Sequence, residues 1–309
     1  MSFAIVFPGQ GSQSTGMQAL LAAEYEDVRR TWSEAGEALD LDLWGIAQSG
    51  PEQRLNETTI TQPAMLAAGV AAWRVWQAAG GGRPAAMAGH SLGEYTALVC
   101  AGALPLADAV RLVRHRAELM QAAVPAGQGA MAAVLGLDDE AIVAVCRAAA
   151  GDDVVEAVNF NSPGQVVIAG HRSAVERAVG QAKAAGAKRA VLLNVSVPSH
   201  CRLMKPAAAE LAQTLQAIEF AAPSVPVVSN VDVEVYSTAE EIRSGLERQL
   251  YSPVRWADTV RRLAADGVVA VIECGPGKVL AGLTKRIDRS LEAVSFDAPE
   301  AIADAVRRA

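Results

Sequence analysis

Apolar and polar positions follow one pattern in the outer parts of the chain and another in its middle. The first part alternates short apolar runs with longer stretches in which apolar residues recur at helical spacing. Its predicted elements are a strand over 3–7, helices over 17–38 and 63–79, a strand over 84–89, and helices over 92–100 and 105–123. Strands that alternate with helices in this way predict a parallel sheet with helices packed on its faces.

The middle of the chain has shorter elements in a different order. They are a strand over 131–137, a helix over 138–150, strands over 154–159 and 165–169, a helix over 172–185 and a strand over 188–195. The order β-α-β-β-α-β is that of a ferredoxin-like unit. A fold tolerates an insert of this kind where the two ends of the insert lie close together.

After residue 198 the pattern of the first part returns. Buried strands are predicted over 225–230 and 268–273, and a turn at 275–277 leads into a final amphipathic helix. The sequence therefore predicts an α/β protein in two parts. The large subdomain with the parallel sheet comprises residues 1–126 and 198–309, and the ferredoxin-like small subdomain comprises residues 127–197.

The strongest chemical signal is a nucleophile elbow. Gly89 and Gly93 flank Ser91 at the predicted turn from strand to helix, in the pattern Gly-x-Ser-x-Gly. Glycines permit a turn sharp enough to place the serine hydroxyl at its apex, and the backbone N–H of Leu92 then faces an oxyanion at the acyl carbon. The same pattern also arises as a plain structural turn, and the strand-turn-helix context is what favours a nucleophile.

A nucleophilic serine needs a base, and the chain offers four histidines. His90 adjoins the serine in the turn, so its side chain is expected to point away from the hydroxyl. His115 falls on the polar side of its helix, and His171 lies within the inserted unit. His200 follows the point where the insert returns to the large subdomain, where a cleft would form. Position alone leaves open whether His200 is the base or an ordinary solvated histidine.

Arg116 is a cation on an apolar helix face. At 100° per residue, the helix from Leu106 to Met120 gathers apolar side chains on one arc, and Arg116 lies inside it between Leu112 and Ala109. A buried cation is costly unless an anion meets it. Two anions satisfy this condition: a carboxylate of the protein in a structural ion pair, or a substrate carboxylate gripped by both prongs of the guanidinium.

Composition narrows the class of protein. A hydrophobic fraction of 51% and a net charge of -7 indicate a folded domain and argue against a nucleic-acid partner. The four cysteines form no Cys-x-x-Cys pair, so neither a metal site nor a disulfide framework is expected. The N-terminal residues lack the basic region of a signal peptide, and no apolar stretch reaches the length of a membrane span. These features predict a cytoplasmic enzyme without a membrane segment.

Six separated motifs together resemble the malonyl-CoA:acyl carrier protein transacylase family. In chain order they are Phe7-Pro8-Gly9-Gln10-Gly11-Ser12-Gln13, Gly89-His90-Ser91-Leu92-Gly93-Glu94, Arg116, Asn159-Phe160-Asn161-Ser162-Pro163, Pro198-Ser199-His200 and Glu273-Cys274-Gly275-Pro276-Gly277. The resemblance runs from the first strand to the last predicted helix. Six motifs in the family's order are far more specific than any one of them.

The resemblance implies a fold and a set of catalytic roles. The large subdomain would be α/β-hydrolase-like, with the ferredoxin-like unit inserted in it. Ser91 would attack the thioester, with His200 as general base and later general acid. The backbone N–H groups of Gln10 and Leu92 would form the oxyanion hole.

The resemblance also implies a substrate and a partner. Arg116 would hold the malonyl carboxylate, and the backbone carbonyl of Gln249 would orient the histidine. The malonyl group would pass from malonyl-CoA through a malonyl-serine to the phosphopantetheine thiol of acyl carrier protein, for fatty acid biosynthesis. A monomer without metal or other cofactor is expected, and Leu92 after the nucleophile favours malonyl over methylmalonyl.

Three other functions share these residues. One is a discrete acyltransferase that serves a polyketide synthase in trans, and another is a serine hydrolase that releases the free acid. The third is a scaffold that has kept the fold without catalysis, which the intact set of Ser91, His200 and Arg116 disfavours.

Overall fold

The computed structural model describes residues 2–195 and 197–309 and places their strands in two separate sheets. In this part of the chain the first sheet consists of β1 (Phe3–Phe7), β2 (Ala86–Gly89), β7 (Val227–Val228), β8 (Ala270–Cys274) and β9 (Glu292–Phe296). These strands are all parallel and lie in the order β7-β2-β1-β8-β9. The predicted parallel sheet is confirmed.

The second sheet is antiparallel and is formed by the middle of the chain. Its elements are β3 (Gly129–Leu135), α8 (Asp139–Ala150), β4 (Val155–Ser162), β5 (Gln165–His171), α9 (Arg172–Ala184) and β6 (Arg189–Leu192). The strand order is β4-β5-β3-β6, with neighbouring strands antiparallel. The predicted β-α-β-β-α-β unit is therefore present, whereas the subdomain boundaries at 126/127 and 197/198 stay a prediction. Met1 and Ser196, which those ranges include, lie outside the described residues.

Helices cover the parallel sheet. Before the second sheet they are α1 (Ala19–Glu24), α2 (Glu26–Leu39), α3 (Leu43–Ser49), α4 (Glu52–Leu55), α5 (Thr58–Ala78), α6 (Leu92–Cys100) and α7 (Leu106–Ala122). After it they are α10 (Lys205–Ala217), α11 (Ala239–Gln249), α12 (Trp256–Ala265), α13 (Val279–Ile287) and α14 (Pro299–Arg308). No helix within the described ranges combines the length and the apolar character needed to cross a bilayer.

The central strand β1 shows why the sheet needs helices on both faces. All five of its residues are buried. Phe3, Ile5 and Phe7 belong to the larger core, which includes most of α5. Ala4 and Val6 belong to a second core on the opposite face, around Trp256. Alternate side chains of a strand point to opposite faces, so a continuous apolar run is buried on both sides.

The C-terminal part of the prediction was wrong. The helix after the turn at 275–277 is α13, but it is not the last element, because β9 and α14 follow it. β9 lies at the edge of the sheet and mixes buried with half-buried residues. It therefore lacks the continuous apolar run that marked the other strands of this sheet.

Three other boundaries also differ from the prediction. The helix expected over 63–79 begins at Thr58, so that Pro63 lies inside it. The helix expected over 17–38 is divided into α1 and α2, and the strand expected over 225–230 is only two residues long. Sequence patterns locate elements better than they locate ends, because terminal residues are fixed by packing and capping.

The two sheets meet beside the elbow. The backbone amide of Phe160 in β4 donates to the carbonyl of Val254, and the amide of Val254 donates to the carbonyl of Val158. These bonds join the small sheet to the segment between α11 and α12. A cleft between the sheets then lies at the carboxyl ends of β1 and β2, where ligands bind in open α/β sheets.

Candidate active site

Ser91 lies at the turn between β2 and α6 in a strained backbone conformation, with φ 52° and ψ -107°. The flanking glycines make this turn possible. A Cβ on Gly89 would lie 1.8 Å from the carbonyl carbon of Gly93, and one on Gly93 would lie 2.1 Å from the carbonyl oxygen of Phe7. No larger residue fits at either position, so the glycine spacing in the sequence is a steric requirement of the elbow.

Asn230 fixes the strained turn from the adjacent strand. Its side-chain oxygen accepts from the backbone amide of Ser91 at 2.7 Å, and its side-chain nitrogen donates to the carbonyl of Gly89 at 2.6 Å. Both bonds are made just beyond β7, the strand next to β2. Sequence reasoning missed this residue, because nothing in the local pattern distinguishes it from an ordinary asparagine after a strand.

His200 faces the serine. Its Nε2 lies 2.7 Å from the Oγ of Ser91, and its Nδ1 lies 2.7 Å from the backbone carbonyl oxygen of Gln249. A carbonyl only accepts, so Nδ1 carries the proton and Nε2 is free to accept from the hydroxyl. Burial, reinforced by the positive charge of Arg116, lowers the pKa of His200 to about 3. The resting imidazole is therefore neutral, which is the form a general base requires.

Arg116 is almost completely buried, with 1% of its surface exposed. One guanidinium nitrogen donates to the side-chain oxygen of Gln62 at 2.9 Å, and another donates to that of Gln249 at 3.0 Å. The second nitrogen also lies 3.4 Å from the Oγ of Ser91, and the group stands 5.4 Å from the ring centre of Tyr95. The cation thus points directly at the nucleophile.

The partners of Arg116 are neutral. Across the described residues, no carboxylate oxygen lies within the 4.0 Å of an ion pair with this guanidinium, and its Nε has no hydrogen-bond partner. Burial lowers the pKa of Arg116, and the interactions with Tyr95 and, to a smaller extent, the charge of Glu94 oppose that shift. A buried cation whose partners are all neutral still lacks an anion. Of the two explanations that the sequence left open, the structural ion pair is not formed.

The amides of Gln10 and Leu92 border the same space. Neither has a hydrogen-bond acceptor among residues 2–195 and 197–309. Leu92 is the first residue of α6, where the unpaired N–H groups and the helix dipole favour negative charge. The loop that carries Gln10 is held against the elbow by a hydrogen bond from the amide of His90 to the carbonyl of Phe7.

These groups line a cavity of about 240 Å³ between the two sheets. Its polar lining includes Gln10, Ser91, Arg116 and His200, and its apolar lining includes Met120, Met131, Val167 and Leu283. A pocket that is largely apolar, with a few polar groups converging on one point, is the usual form of a small-molecule site. The arrangement can deliver an activated hydroxyl to a carbonyl carbon whose acyl group ends in an anion.

The other histidines do not contact the Ser91 hydroxyl. His90 turns away from it and donates from Nε2 to the side-chain oxygen of Asn161 at 2.8 Å. His115 is half-exposed on α7, and His171 lies at the end of β5 near Asp153.

The thiol of Cys201, next to His200, is fully buried and donates to the carbonyl of Pro198. Its pKa is raised to about 12 by burial, so it is no rival nucleophile. In the described part of the chain, no three His, Cys, Asp or Glu side chains gather as a possible metal site.

Glu94 and Gln62 were also given no role by sequence reasoning. Each is a buried polar residue on a largely apolar helix. A polar side chain in such a position needs a buried partner, so this pattern was a signal that could have found them.

Comparison with known proteins agrees with this geometry. The family model described as "Acyl transferase domain" matches residues 4–304. A protein of Escherichia coli (strain K12) named "Malonyl CoA-acyl carrier protein transacylase" is 60% identical over 304 residues, 98% of each chain. A protein of the same name from Bacillus subtilis (strain 168) is 45% identical over 98% of this chain and 96% of its own.

Solved structures agree as well. The crystal structure of an acyl carrier protein S-malonyltransferase from Vibrio cholerae is 58% identical and superposes with a TM-score of 0.96, over 99% of this chain and 100% of that one. A malonyl-transacylase in complex with a type II polyketide synthase acyl carrier protein is 55% identical, with a TM-score of 0.99 over the full length of both chains. On these matches, the chain belongs to the malonyl-CoA:acyl carrier protein transacylase family.

Proposed function

We propose that this protein transfers the malonyl group of malonyl-CoA to the phosphopantetheine thiol of acyl carrier protein, through a malonyl ester of Ser91. One observation carries the proposal: the Ser91–His200 pair lies beside a buried arginine that has no carboxylate partner among the described residues. A nucleophile next to an unpaired cation suits an acyl group that ends in its own carboxylate.

In the first half-reaction the Oγ of Ser91 attacks the thioester carbon of malonyl-CoA. The neutral Nε2 of His200 takes the hydroxyl proton, and the carbonyl of Gln249 stabilises the resulting imidazolium through Nδ1–H. The amides of Gln10 and Leu92 stabilise the oxyanion. The C–S bond then breaks, and His200 returns the proton to the sulfur of the departing coenzyme A.

In the second half-reaction the thiol of acyl carrier protein enters the same site. His200 takes the thiol proton, the sulfur attacks the ester carbon, and the C–O bond to Ser91 breaks. The proton returns to Oγ, which restores the free serine. One thioester is exchanged for another at little net change in bond energy, and we propose that the reaction needs no metal or organic cofactor.

Arg116 confers preference for a dicarboxylic acyl group. The guanidinium has an unpaired Nε and two nitrogens held by amide oxygens, and one of them lies 3.4 Å from Ser91 Oγ. A malonyl group bound at the serine places its carboxylate a few bonds from the reacting carbon, within reach of this guanidinium. Bidentate contact with the carboxylate would then align the thioester with Oγ.

The broader setting of the enzyme is proposed on the same grounds. Fatty acid biosynthesis consumes malonyl groups on acyl carrier protein, so we place the enzyme in that pathway and in the cytoplasm. The division into residues 1–126 with 198–309 and 127–197 puts the cleft at the junction of two subdomains. The monomeric state and the absence of a nucleic-acid partner stay predictions.

A discrete acyltransferase of a polyketide synthase is a second candidate. The observation that favours it is the similarity to a malonyl-transacylase solved with a type II polyketide synthase acyl carrier protein. The catalytic residues are the same for both functions, so the carrier protein separates them. Rates with fatty acid and polyketide acyl carrier proteins, measured side by side, would decide between the two.

Mass spectrometry tests the nucleophile. Wild-type protein incubated with malonyl-CoA should gain one malonyl group on Ser91, and Ser91→Ala should gain none. A malonyl adduct that persists on the alanine variant would refute the assignment. Adding holo acyl carrier protein and counting malonyl-carrier against free malonate then distinguishes the transferase from a hydrolase.

A further inference from the structure

Glu94 is a buried carboxylate for which the reaction steps above have no use. It lies on α6, one turn after Ser91, and has 0% of its surface exposed. Among the described residues, no lysine or arginine nitrogen lies within ion-pair distance of it. Burial raises its pKa to about 7, although three donors oppose the shift. A group this costly to bury needs a structural reason.

Three donors satisfy the carboxylate. Its Oε2 accepts from the side-chain nitrogen of Gln249 at 2.7 Å and from the backbone amide of Asn230 at 3.3 Å. Its Oε1 accepts from the hydroxyl of Tyr236. The contact with Gln249 is the one that leads into the active site.

Gln249 joins Glu94 to the catalytic groups. Its side-chain nitrogen donates to Glu94 and to the carbonyl of Ser91, while its side-chain oxygen accepts from Arg116 at 3.0 Å. Its backbone carbonyl accepts from His200. It is fully buried at the end of α11, so no water competes for these positions.

Glu94 and the carbonyl of Ser91 together fix the direction of the Gln249 amide. An amide has a donor end and an acceptor end that differ little in shape, and only hydrogen-bond partners fix which end faces which neighbour. A carboxylate accepts and does not donate, so it holds the nitrogen of Gln249 on its own side. The amide oxygen must then face Arg116. Without Glu94, only the carbonyl of Ser91 would hold the nitrogen, so the amide could turn or shift and would no longer keep its oxygen in place for the guanidinium.

We infer that Glu94 is a positioning residue that acts through Gln249 to place the guanidinium of Arg116 for the substrate carboxylate. This inference rests on the proposed function, because it takes the acyl group to carry a carboxylate. Glu94 itself contacts neither the hydroxyl of Ser91 nor the imidazole. Its removal should therefore affect malonyl transfer much more than acetyl transfer.

The informative variants are Glu94→Met and Glu94→Gln. Methionine matches the length of glutamate but accepts only weakly, so the Gln249 amide loses one of the two acceptors that orient it. Glutamine at 94 can keep its oxygen toward Gln249 and turn its nitrogen toward Tyr236, whose hydroxyl also accepts. Thr96→Val is the matched control, because Thr96 is buried on the same helix and its hydroxyl has no partner among the described residues.

The measurement is kcat/KM for malonyl-CoA divided by kcat/KM for acetyl-CoA. Glu94→Met should lower this ratio by about tenfold to a hundredfold, the range that a hydrogen bond to a charged group is worth. Glu94→Gln and Thr96→Val should stay within about threefold of wild type. Equal losses with both substrates, or failure of Glu94→Gln to restore the ratio, would overturn the inference.

A double-mutant cycle with Gln249→Met adds a test that does not depend on the folding of Glu94→Met alone. In Glu94→Met/Gln249→Met both hydrogen-bonding partners are replaced together, which is far less costly than orphaning one of them. If Glu94 acts through Gln249, the double variant should have the same ratio as Gln249→Met. A ratio that falls further on adding Glu94→Met would show that Glu94 acts by another route.

The two proposals fail in different ways. If the proposed function is wrong, wild-type protein will transfer no malonyl group from malonyl-CoA to acyl carrier protein, whatever the variants do. If only the inference is wrong, wild type will form the ester and Glu94→Met will keep its preference for malonyl-CoA. A crystal structure of Glu94→Met reports on positioning by itself: a displaced guanidinium supports the inference, and an unmoved one refutes it.

Discussion

Replacing Arg116 with alanine removes the only group that distinguishes a malonyl from an acetyl substrate in the proposed mechanism. The guanidinium is buried, lies 3.4 Å from Ser91 Oγ, and donates to the amide oxygens of Gln62 and Gln249. In the variant, malonyl-CoA would have to bury its carboxylate without a cation. Acetyl-CoA has no carboxylate, so its binding would not depend on that cation.

The size of the effect follows from the two hydrogen bonds that an alanine cannot donate to the malonyl carboxylate. Hydrogen bonds between a guanidinium and a carboxylate are each worth about 1.5–3 kcal/mol, and two of them together correspond to about 10²- to 10⁴-fold in kcat/KM. The change with acetyl-CoA should stay within about tenfold. The thermal stability of Arg116→Ala should change little by comparison. The side-chain oxygens of Gln62 and Gln249 lose their donor, which is destabilising. This cost is offset because the variant no longer buries a cation that has no carboxylate partner among the described residues.

The assay is transfer of radiolabelled malonyl or acetyl groups from coenzyme A to holo acyl carrier protein, over a range of substrate concentrations. Arg116→Lys is the companion variant, because a lysine keeps the charge without the planar fork. It should fall between wild type and Arg116→Ala. Equal losses for malonyl and acetyl transfer in Arg116→Ala, with the fold intact, would refute the carboxylate-binding role.

Three further predictions concern the elbow and the buried carboxylate of Glu273. Asn230→Ala removes the acceptor of the Ser91 backbone amide. Acylation measured by rapid quench should then slow by about tenfold or more for malonyl and acetyl groups alike. A loss confined to one of the two substrates would contradict a role of Asn230 in the elbow. Gly93→Ala places a Cβ 2.1 Å from the carbonyl oxygen of Phe7, so the yield of folded protein and its melting temperature should fall sharply; an unchanged melting temperature would refute the steric argument. Burial raises the pKa of Glu273 from 4.5 to about 7, so the folded state holds a proton that the unfolded chain releases, and the contribution of Glu273 to stability should fall as pH rises from about 4.5 to about 7. In thermal unfolding measured against pH, Glu273→Gln should therefore lose less stability, or gain more, than wild type over this window, and equal slopes would count against the shift.

The elbow shows how far a local pattern reaches. Gly89 and Gly93 are required by contacts within one strand, one turn and the start of one helix, together with the neighbouring β1. Such short-range sterics are encoded in a few consecutive residues, which is why the turn and its serine could be predicted. Helical spacing is equally local, and it placed Arg116 on the apolar arc of α7, where the structure also buries it.

The partners of these residues were beyond such patterns. Nothing local indicated that Asn230 would bond the amide of Ser91 across 139 positions, or that Glu94 and Gln249 would meet across 155. Side chains on different elements come together only when the order of the strands and the packing of the helices are fixed. The edge strand β9 was missed for a related reason, since its sequence lacks the apolar run of a strand buried on both faces.

By itself, the sequence determined the order of the elements in the middle of the chain, the elbow at Ser91 and the apolar setting of Arg116, because each depends on spacing within one element or one turn. Resemblance to a family then supplied a role for His200 that position alone had left open. Only the tertiary structure decided that Arg116 has no carboxylate partner among the described residues and that a buried glutamate accepts a hydrogen bond from the amide beside it. Burial, charge and hydrogen-bond direction are properties of distant segments brought into contact, so no local pattern can specify them.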